Sequence, residues 1–200
     1  MMEAVRNGAW AKSGGGWQPT PNAFVETDGV CYIDTGWVPT ESGAYEIDAR
    51  LNNVGLHGSM YPNGARGARF YIHPYFDDIY FGQGREYHRF TGAYMSAKRF
   101  VASVDGVSLR ARVNSIETSF VQSSWTLALT SFTLGCRHVG TTIDHKGPAR
   151  VWKFRAWDNG TLVHDFFPRE IDGVAGLWDM VTEQFVTGTG GSLVYGISES

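Results

Sequence analysis

The segment that most constrains the fold is a pair of strand-like runs around an Asn-Gly dipeptide. Residues 149–157 and 162–168 are rich in β-branched and aromatic side chains, and Asn159-Gly160 lies between them. An Asn-Gly pair in this setting is the strongest short-range signal for a β-hairpin, because a type I′ turn needs positive φ at both central residues. The sequence therefore predicts two antiparallel strands joined by a tight turn.

The tight turn also predicts a register. With a two-residue loop, Trp157 lies opposite Leu162 and Phe154 lies opposite Asp165. Alternation along the two strands then gives one apolar face, which consists of Trp152, Phe154, Ala156, Val163 and Phe167. Arg155 and His164 fall on the other face. An apolar face must be covered, so we expect this hairpin to be central in a sheet that packs on a second layer.

Asp165 is the exception in this hairpin, because the predicted register places it on the apolar face. A buried carboxylate costs several kcal/mol unless it is paired or hydrogen-bonded. We expect backbone N–H groups or an arginine, Arg150 or Arg169, to satisfy it. A ligand or metal role for Asp165 stays open at this point.

The rest of the chain repeats the pattern of short strands and tight turns. The sequence is 14% aromatic and contains 25 glycines, a composition that favours strands and turns over helices. The strands predicted outside the hairpin are residues 23–27, 30–34, 44–51, 69–72, 79–81, 86–90, 99–104, 107–113, 124–130, 132–136, 174–179, 184–187 and 193–195. This predicts an all-β fold, an antiparallel two-sheet β-sandwich or jelly roll.

Composition also divides the chain. Residues 1–20 are rich in Gly and Pro, so we expect an N-terminal arm or linker that could tether the domain to a larger assembly. Residues 21–200 are predicted to form a single domain. Cys31 and Cys136 lie in apolar runs and are predicted to be buried free thiols, with a disulfide left open.

Charge and hydropathy exclude some classes of function. The formal net charge is −3, so no nucleic-acid partner is expected. No run is long and apolar enough for membrane insertion, and the N-terminus lacks the pattern of a signal peptide, so export by a leader of its own is not expected.

Three segments together resemble the concanavalin A-like lectin/glucanase superfamily in its laminin-G-like branch. They are Tyr-Ile-Asp-Thr-Gly at 32–36 with Pro39, the hairpin at 158–168, and Gly-Val-Ala-Gly-Leu-Trp-Asp at 173–179 with Phe185 and the turn at 188–191. The resemblance is to versions found in gut-bacterial surface proteins and in phage tail or virion proteins. It implies a concanavalin A-like jelly roll that binds glycans or has a purely structural role.

Glycosidases of the laminarinase type on this fold place a series of carboxylates along one strand. Glu46 and Asp48 are spaced to share one strand face, and retaining chemistry needs two such groups about 5–5.5 Å apart. The position of a third carboxylate holds Arg50 or Leu51. We therefore expect Glu46 and Asp48 to lie on a solvent-facing strand without catalytic function, with a glycoside hydrolase as the less favoured alternative.

Aromatic residues beside polar ones suggest a glycan site elsewhere. Sugar rings stack their C–H faces on aromatic rings, and their hydroxyls need polar partners at the rim. The predicted ligand-binding residues are Trp37, Tyr61, Arg69, Tyr71, His73, Tyr75 and Asp78, although any of these rings could instead belong to the core. Asp77 and Asp78 are a possible Ca²⁺ pair or a polar turn, and no other cofactor is expected.

The sequence thus favours a non-catalytic carbohydrate-binding or adhesion module on a virion or bacterial surface. Its partners would be a glycan or host-surface polysaccharide and other virion or surface proteins, with a homotrimer possible. The alternative from another class is a structural virion or assembly domain that docks through its Gly/Pro-rich arm. The expected location in either case is the virion or the extracellular surface.

Overall fold

The computed structural model describes residues 17–51, 57–60, 69–75, 78–83, 86–90, 98–108, 110–119, 130–139, 142–144 and 146–199. Within the strands between residues 57 and 90 only the backbone is described. Across all the described residues the chain is all-β and contains no helix, as the sequence predicts.

Eighteen strands form among the described residues. In chain order they are β1 (Ala23–Glu26), β2 (Tyr32–Asp34), β3 (Ala44–Leu51), β4 (His57–Met60), β5 (Arg69–Tyr75), β6 (Asp78–Gln83), β7 (Glu86–Phe90), β8 (Arg99–Asp105), β9 (Arg110–Val113), β10 (Ile116–Ser119), β11 (Thr133–Leu134), β12 (Arg137–Val139), β13 (Thr142–Asp144), β14 (Ala149–Asp158), β15 (Thr161–Ile171), β16 (Val174–Asp179), β17 (Gln184–Thr189) and β18 (Val194–Ile197). The pairing of β4 with β12 is parallel. The other described pairings are antiparallel.

Strand β14 is central to the network. It pairs with β3 along nearly its whole length, and on its other side with β1 at its start and β15 at its end. Strands β8, β9 and β10 extend the series beyond β3, and β16 and β17 extend it beyond β15. Strand β1 also pairs with β18. The predicted central position of the hairpin is therefore observed.

A second series of strands contains β7, β6, β5, β4, β11 and β2 in order of pairing. Strand β17 joins the two series because it changes partner along its length. Its residues 184–187 pair with β16, whereas Gly188 and Thr189 pair with β2. The described strands thus form one continuous hydrogen-bonded network.

The core follows from alternation along β3 and β14. Strand β3 buries every second residue, and its buried side chains are Tyr45, Ile47, Ala49 and Leu51. Phe154 of β14 packs on Phe132 with ring centroids 5.1 Å apart, and Phe132 packs on Tyr45 at 5.0 Å. Each such side chain contributes roughly 1.5–3 kcal/mol when fully buried.

The turn of the β14–β15 hairpin forms as predicted. Asn159 and Gly160 have φ values of 48° and 75°, and Trp157 pairs with Leu162. Beyond that pair the register shifts by one residue, because β15 contains a bulge at Val163. Phe154 therefore lies opposite Phe166, and the predicted pairing of Phe154 with Asp165 is wrong.

This shift changes which rings reach the core. Phe166 is 1% exposed and belongs to the core, whereas Phe167 is half-buried and lies under the ammonium group of Lys153. Trp178, which pairs with Phe167, is also half-buried. The predicted core position of Phe167 is therefore wrong, because an alternation rule loses its phase at a bulge.

Trp152 is displaced by a second irregularity, in the pairing of β14 with β3 between Val151 and Lys153. Its ring is 7% exposed but lies outside the main core cluster. It is covered instead by the guanidinium groups of Arg99 and Arg150, at 4.4 and 6.0 Å from the ring centroid. Trp152 is buried as predicted, but outside the main core cluster, against the Phe24 ring, whose centroid is 5.8 Å from its own, and the two guanidinium groups.

Other strand boundaries also differ from those predicted. His73 and Pro74, predicted to interrupt a strand, lie within β5, and residues 116–119 form the unpredicted strand β10. The predicted strand 124–130 lies outside the described residues except for Thr130. Of the predicted arm, residues 17–20 have no regular secondary structure, and residues 1–16 lie outside the described part.

Candidate functional site

An open groove of about 600 Å³ lies at the hairpin end of β3, β8 and β14. Alternation places it on the face opposite the core, because Glu46 and Trp157 follow the buried residues Tyr45 and Ala156. The polar and aromatic residues that line it are Ser42, Tyr45, Glu46, Ser103, Asp105, Trp157 and Asn159. We call it the Trp157 groove.

Trp157 is half-buried and is the aromatic platform of this groove. It pairs with Ala44 of β3, which also lines the groove, and Ala44 pairs with Asp105 of β8. Because Ala44 has a small side chain, this part of the outward sheet face stays open beside the indole ring. The groove therefore combines an accessible aromatic surface with carboxylate and hydroxyl groups.

Asp105 supplies a carboxylate at the rim. Partial burial raises its pKa, but hydrogen bonds from the Ser108 hydroxyl and from the backbone N–H groups of Ser108 and Val107, together with Arg110, outweigh burial and hold the pKa below its ordinary value. Asp105 is thus a negatively charged acceptor at neutral pH, in a position fixed by its own turn.

Glu46 and Asp48 lie on the outward face as predicted, with side chains 37% and 17% exposed. Both Asp48 oxygens accept hydrogen bonds from Arg99, at 2.6 and 2.7 Å. Glu46 lies 3.9 Å from Arg155, whose Nε donates to Asp165 at 2.8 Å. These carboxylates belong to a network of ion pairs across the sheet face.

A second depression, of about 490 Å³, adjoins the Trp157 groove and shares Ser103 and Asp105 with it. It is also lined by Ser108, Arg110, Ala111, Arg112 and Glu117. Arg110 forms an ion pair with Glu117 at 3.0 Å, and Arg112 Nε donates to the Asn114 carbonyl at 2.6 Å. We call it the Arg112 trough.

Among the described residues, the buried carboxylate is Asp179 rather than Asp165. Asp165 lies opposite Arg155 and pairs with it, because the bulge turns it to the outward face. The predicted apolar position of Asp165 is therefore wrong, and so are its predicted partners Arg150 and Arg169. It is satisfied by an arginine, as expected, but by Arg155.

Asp179, at the end of β16, is 0% exposed. Its oxygens are bonded by His164 Nδ1 at 2.7 Å, the Thr182 hydroxyl at 2.7 Å, and the backbone N–H groups of Asp165 and Val181 at 2.9 and 3.1 Å. Burial raises the pKa of Asp179, but the bonds from His164 and the other donors lower it to about 2. A sequence signal existed, since Asp179 ends a strand three residues before a hydroxyl in the following turn.

The predicted ligand residue Trp37 is in the core. It is 2% exposed, its ring packs against Phe132 and Phe154, and its Nε1–H donates to Asp158 at 3.3 Å. The core alternative is therefore correct for Trp37. Sequence reasoning did not include Trp157 among the ligand residues, although it follows Arg155 by two positions and strand alternation puts both on one face.

Five of the other predicted ligand residues lie in the second series of strands. Arg69, Tyr71, His73 and Tyr75 are in β5, and Asp78 is in β6 opposite Tyr75. Only their backbone is described, so their proposed contacts with a glycan stay a prediction. Tyr61 and Asp77 lie outside the described residues.

Within the described part of the chain, no three His, Cys, Asp or Glu side chains are grouped to hold a metal ion. Cys31 and Cys136 are buried thiols that are not joined in a disulfide, as predicted, and burial raises the pKa of Cys31. Among the residues that the structure describes, none forms a helix that could cross a membrane.

The outward sheet face thus provides binding chemistry at the Trp157 groove, with an indole surface and charged acceptors. No protein-family model matches this chain, and no curated protein matches its sequence.

Proposed function

We propose that this chain is a non-catalytic glycan-binding module and that the Trp157 groove is its binding site. The observation that carries the proposal is the half-buried indole ring of Trp157 in an open groove with Glu46, Ser103 and Asp105. The apolar C–H face of a sugar stacks on such a ring, while its hydroxyls bond to the polar groups around it. A volume of about 600 Å³ suits a short oligosaccharide segment.

The arrangement of the resembling segments supports a concanavalin A-like jelly roll with two sheets. The segments fall on β2, β15 and β16, and β15 pairs with β16, β16 with β17, and β17 with β2. A change of partner along β17 is the kind of connection that lets one strand contribute to two layers. The module would then serve adhesion on a virion or bacterial surface, with a host-surface polysaccharide as partner.

The ion pairs on the outward face favour binding over hydrolysis. A glycosidase needs one free carboxylic acid to protonate the leaving group and one free carboxylate opposite it. Both Asp48 oxygens accept hydrogen bonds from Arg99, and Glu46 lies beside Arg155. We therefore assign Glu46 to ligand hydrogen bonding at the groove and no catalytic role to Asp48.

The test is a glycan array with the full chain, followed by calorimetric titration of each hit. The Trp157→Ala variant should bind at least roughly tenfold more weakly, because stacking and burial on an aromatic ring account for much of the affinity of such sites. Trp178→Ala is the matched control, since Trp178 is also half-buried but lies outside the groove. No hit at high protein concentration, or equal binding by Trp157→Ala and wild type, would refute the proposal.

A second candidate function, a structural assembly domain, is favoured by the contact of the arm with the domain. The Arg169 guanidinium lies between the rings of Trp17 and Trp178, at 4.8 and 4.6 Å from their centroids. This contact holds Trp17, which belongs to the predicted arm, against β15 and β16. Light scattering tests it: a trimer that dissociates in Trp17→Ala would support assembly through the arm, and a wild-type monomer would oppose it.

A further inference from the structure

We propose that the Arg112 trough binds the carboxylate of an acidic sugar unit next to the unit stacked on Trp157. This inference rests on the proposed function, because it assigns a substrate class to the same site. The ligand would be an oligosaccharide that contains uronic acid.

The two depressions are placed to hold consecutive units of one chain. They share Ser103 and Asp105 of β8, so one side of the Trp157 groove is also a wall of the Arg112 trough. A ligand that stacks on Trp157 and continues past Ser103 would enter the trough without leaving the sheet face. Ser103 is paired with Arg112 of β9 in register, so Arg112 lies at this passage.

The Arg112 side chain is oriented by one bond and leaves its other donors available. Its Nε donates to the Asn114 carbonyl at 2.6 Å, and across the described residues no protein group bonds its two terminal nitrogens. Asn114 is itself fixed, since its N–H donates to the Val101 carbonyl at 2.8 Å and its side chain accepts from the Val101 N–H at 3.0 Å. A guanidinium held in this way presents two parallel N–H donors, which match the two oxygens of a carboxylate.

The other charges of the trough are already engaged. Arg110 pairs with Glu117 at 3.0 Å, and the oxygens of Asp105 accept hydrogen bonds from its own turn. Together with Arg112, these three groups contribute two positive and two negative charges, so the trough has little net field for an unattached anion. Recognition would therefore depend on the Arg112 donors together with stacking on Trp157, which selects an acid carried on a sugar.

The experiment compares short oligouronates of the galacturonate, mannuronate and glucuronate types with their methyl esters, by calorimetric titration of the full chain. Esterification removes the charge and keeps the sugar backbone. At least one free acid should bind about tenfold more tightly than its ester, the range expected of a charged bidentate hydrogen bond. Added salt should reduce this preference, because the trough is open to solvent.

Variants of Arg112 test the contribution of the trough to binding independently of the groove. Arg112→Gln should bind acid and ester equally, with the affinity for the ester unchanged, and Arg112→Lys should keep only part of the preference. Lys98→Gln, which removes one positive charge at an exposed position outside the trough, should behave as wild type. Equal unfolding midpoints of Arg112→Gln and Lys98→Gln would show that a difference in their affinities does not come from a difference in stability.

Two results would overturn the inference, and they differ in whether they also refute the proposed function. If wild type binds acids and esters equally, or binds only neutral glycans from the array, while Trp157→Ala loses that binding, the Arg112 assignment is wrong and the groove remains the glycan site. If wild type binds no glycan of any kind, both the inference and the proposed function are wrong.

Discussion

The two faces of β14 use aromatic residues in opposite ways. On the inner face, Phe154 packs against other rings and is 0% exposed. On the outer face, Trp152 is covered by two guanidinium groups and Trp157 is left half-buried in a groove. Burial against apolar rings yields stability, whereas a ring held beside charged groups and solvent can still bind a partner. The comparison separates the scaffold from the candidate site within one strand.

The largest expected effect is from Phe154→Ala on the inner face. It should lower the free energy of unfolding by about 3–5 kcal/mol, because it removes a large buried ring and leaves a cavity among rings that have little freedom to collapse. Denaturant unfolding with circular dichroism measures this loss. A loss below about 1 kcal/mol would show that the inner face is not the stabilising one.

The next effect concerns the buried carboxylate. The pKa of Asp179 is about 2 in the folded chain against an ordinary value of 3.8, so the stability that it contributes is present above about pH 4 and is lost as the pH falls from 4 towards 2. The free energy of unfolding that depends on the ionisation of Asp179 is about 2 kcal/mol. Asp179→Asn should lose it at neutral pH and should flatten the dependence of stability on pH in that window.

Asp165→Asn is the control for this prediction, because Asp165 lies on the outer face with a single arginine partner. A partly exposed pair of this kind contributes about 0–1 kcal/mol. Acid titrations of unfolding in which both variants behave alike would contradict the assignment of the buried carboxylate to Asp179.

The smallest effect on stability is expected from Trp157→Ala, at less than about 1 kcal/mol, because a half-buried ring on the outer face loses little packing. Its thermal unfolding midpoint should stay within a few degrees of wild type. A loss as large as that of Phe154→Ala would place Trp157 in the scaffold and would weaken the distinction between the two faces.

The parts of the fold that were predictable are those that depend on local chemistry. Asn159 and Gly160 specify the turn because few residues tolerate positive φ at both positions, and the structure has them there. The alternation along β3 predicts its buried residues and the outward position of Glu46 and Asp48. The same alternation assigns Trp157, two residues after Arg155, to the outer face, but Trp157 was not among the predicted ligand residues.

The predictions that were wrong depend on non-local geometry. The bulge at Val163 moves Asp165 outward and Phe166 inward, and no residue type marks it, since an extra residue is stabilised by neighbouring strands rather than by its own propensity. Trp37 follows a Gly in a loop-like segment, yet it is buried because that segment folds over the core. Its indole N–H donates a hydrogen bond to Asp158.

By itself, then, the sequence determined the all-β character, the hairpin and the two alternating faces of its strands, because turn conformation and side-chain period are local properties of the chain. Only the tertiary structure decided which carboxylate is buried, which tryptophans are covered and where the groove opens. Those outcomes depend on strand register and on residues far apart in sequence, such as Ala44 and Trp157, that meet only across the sheet.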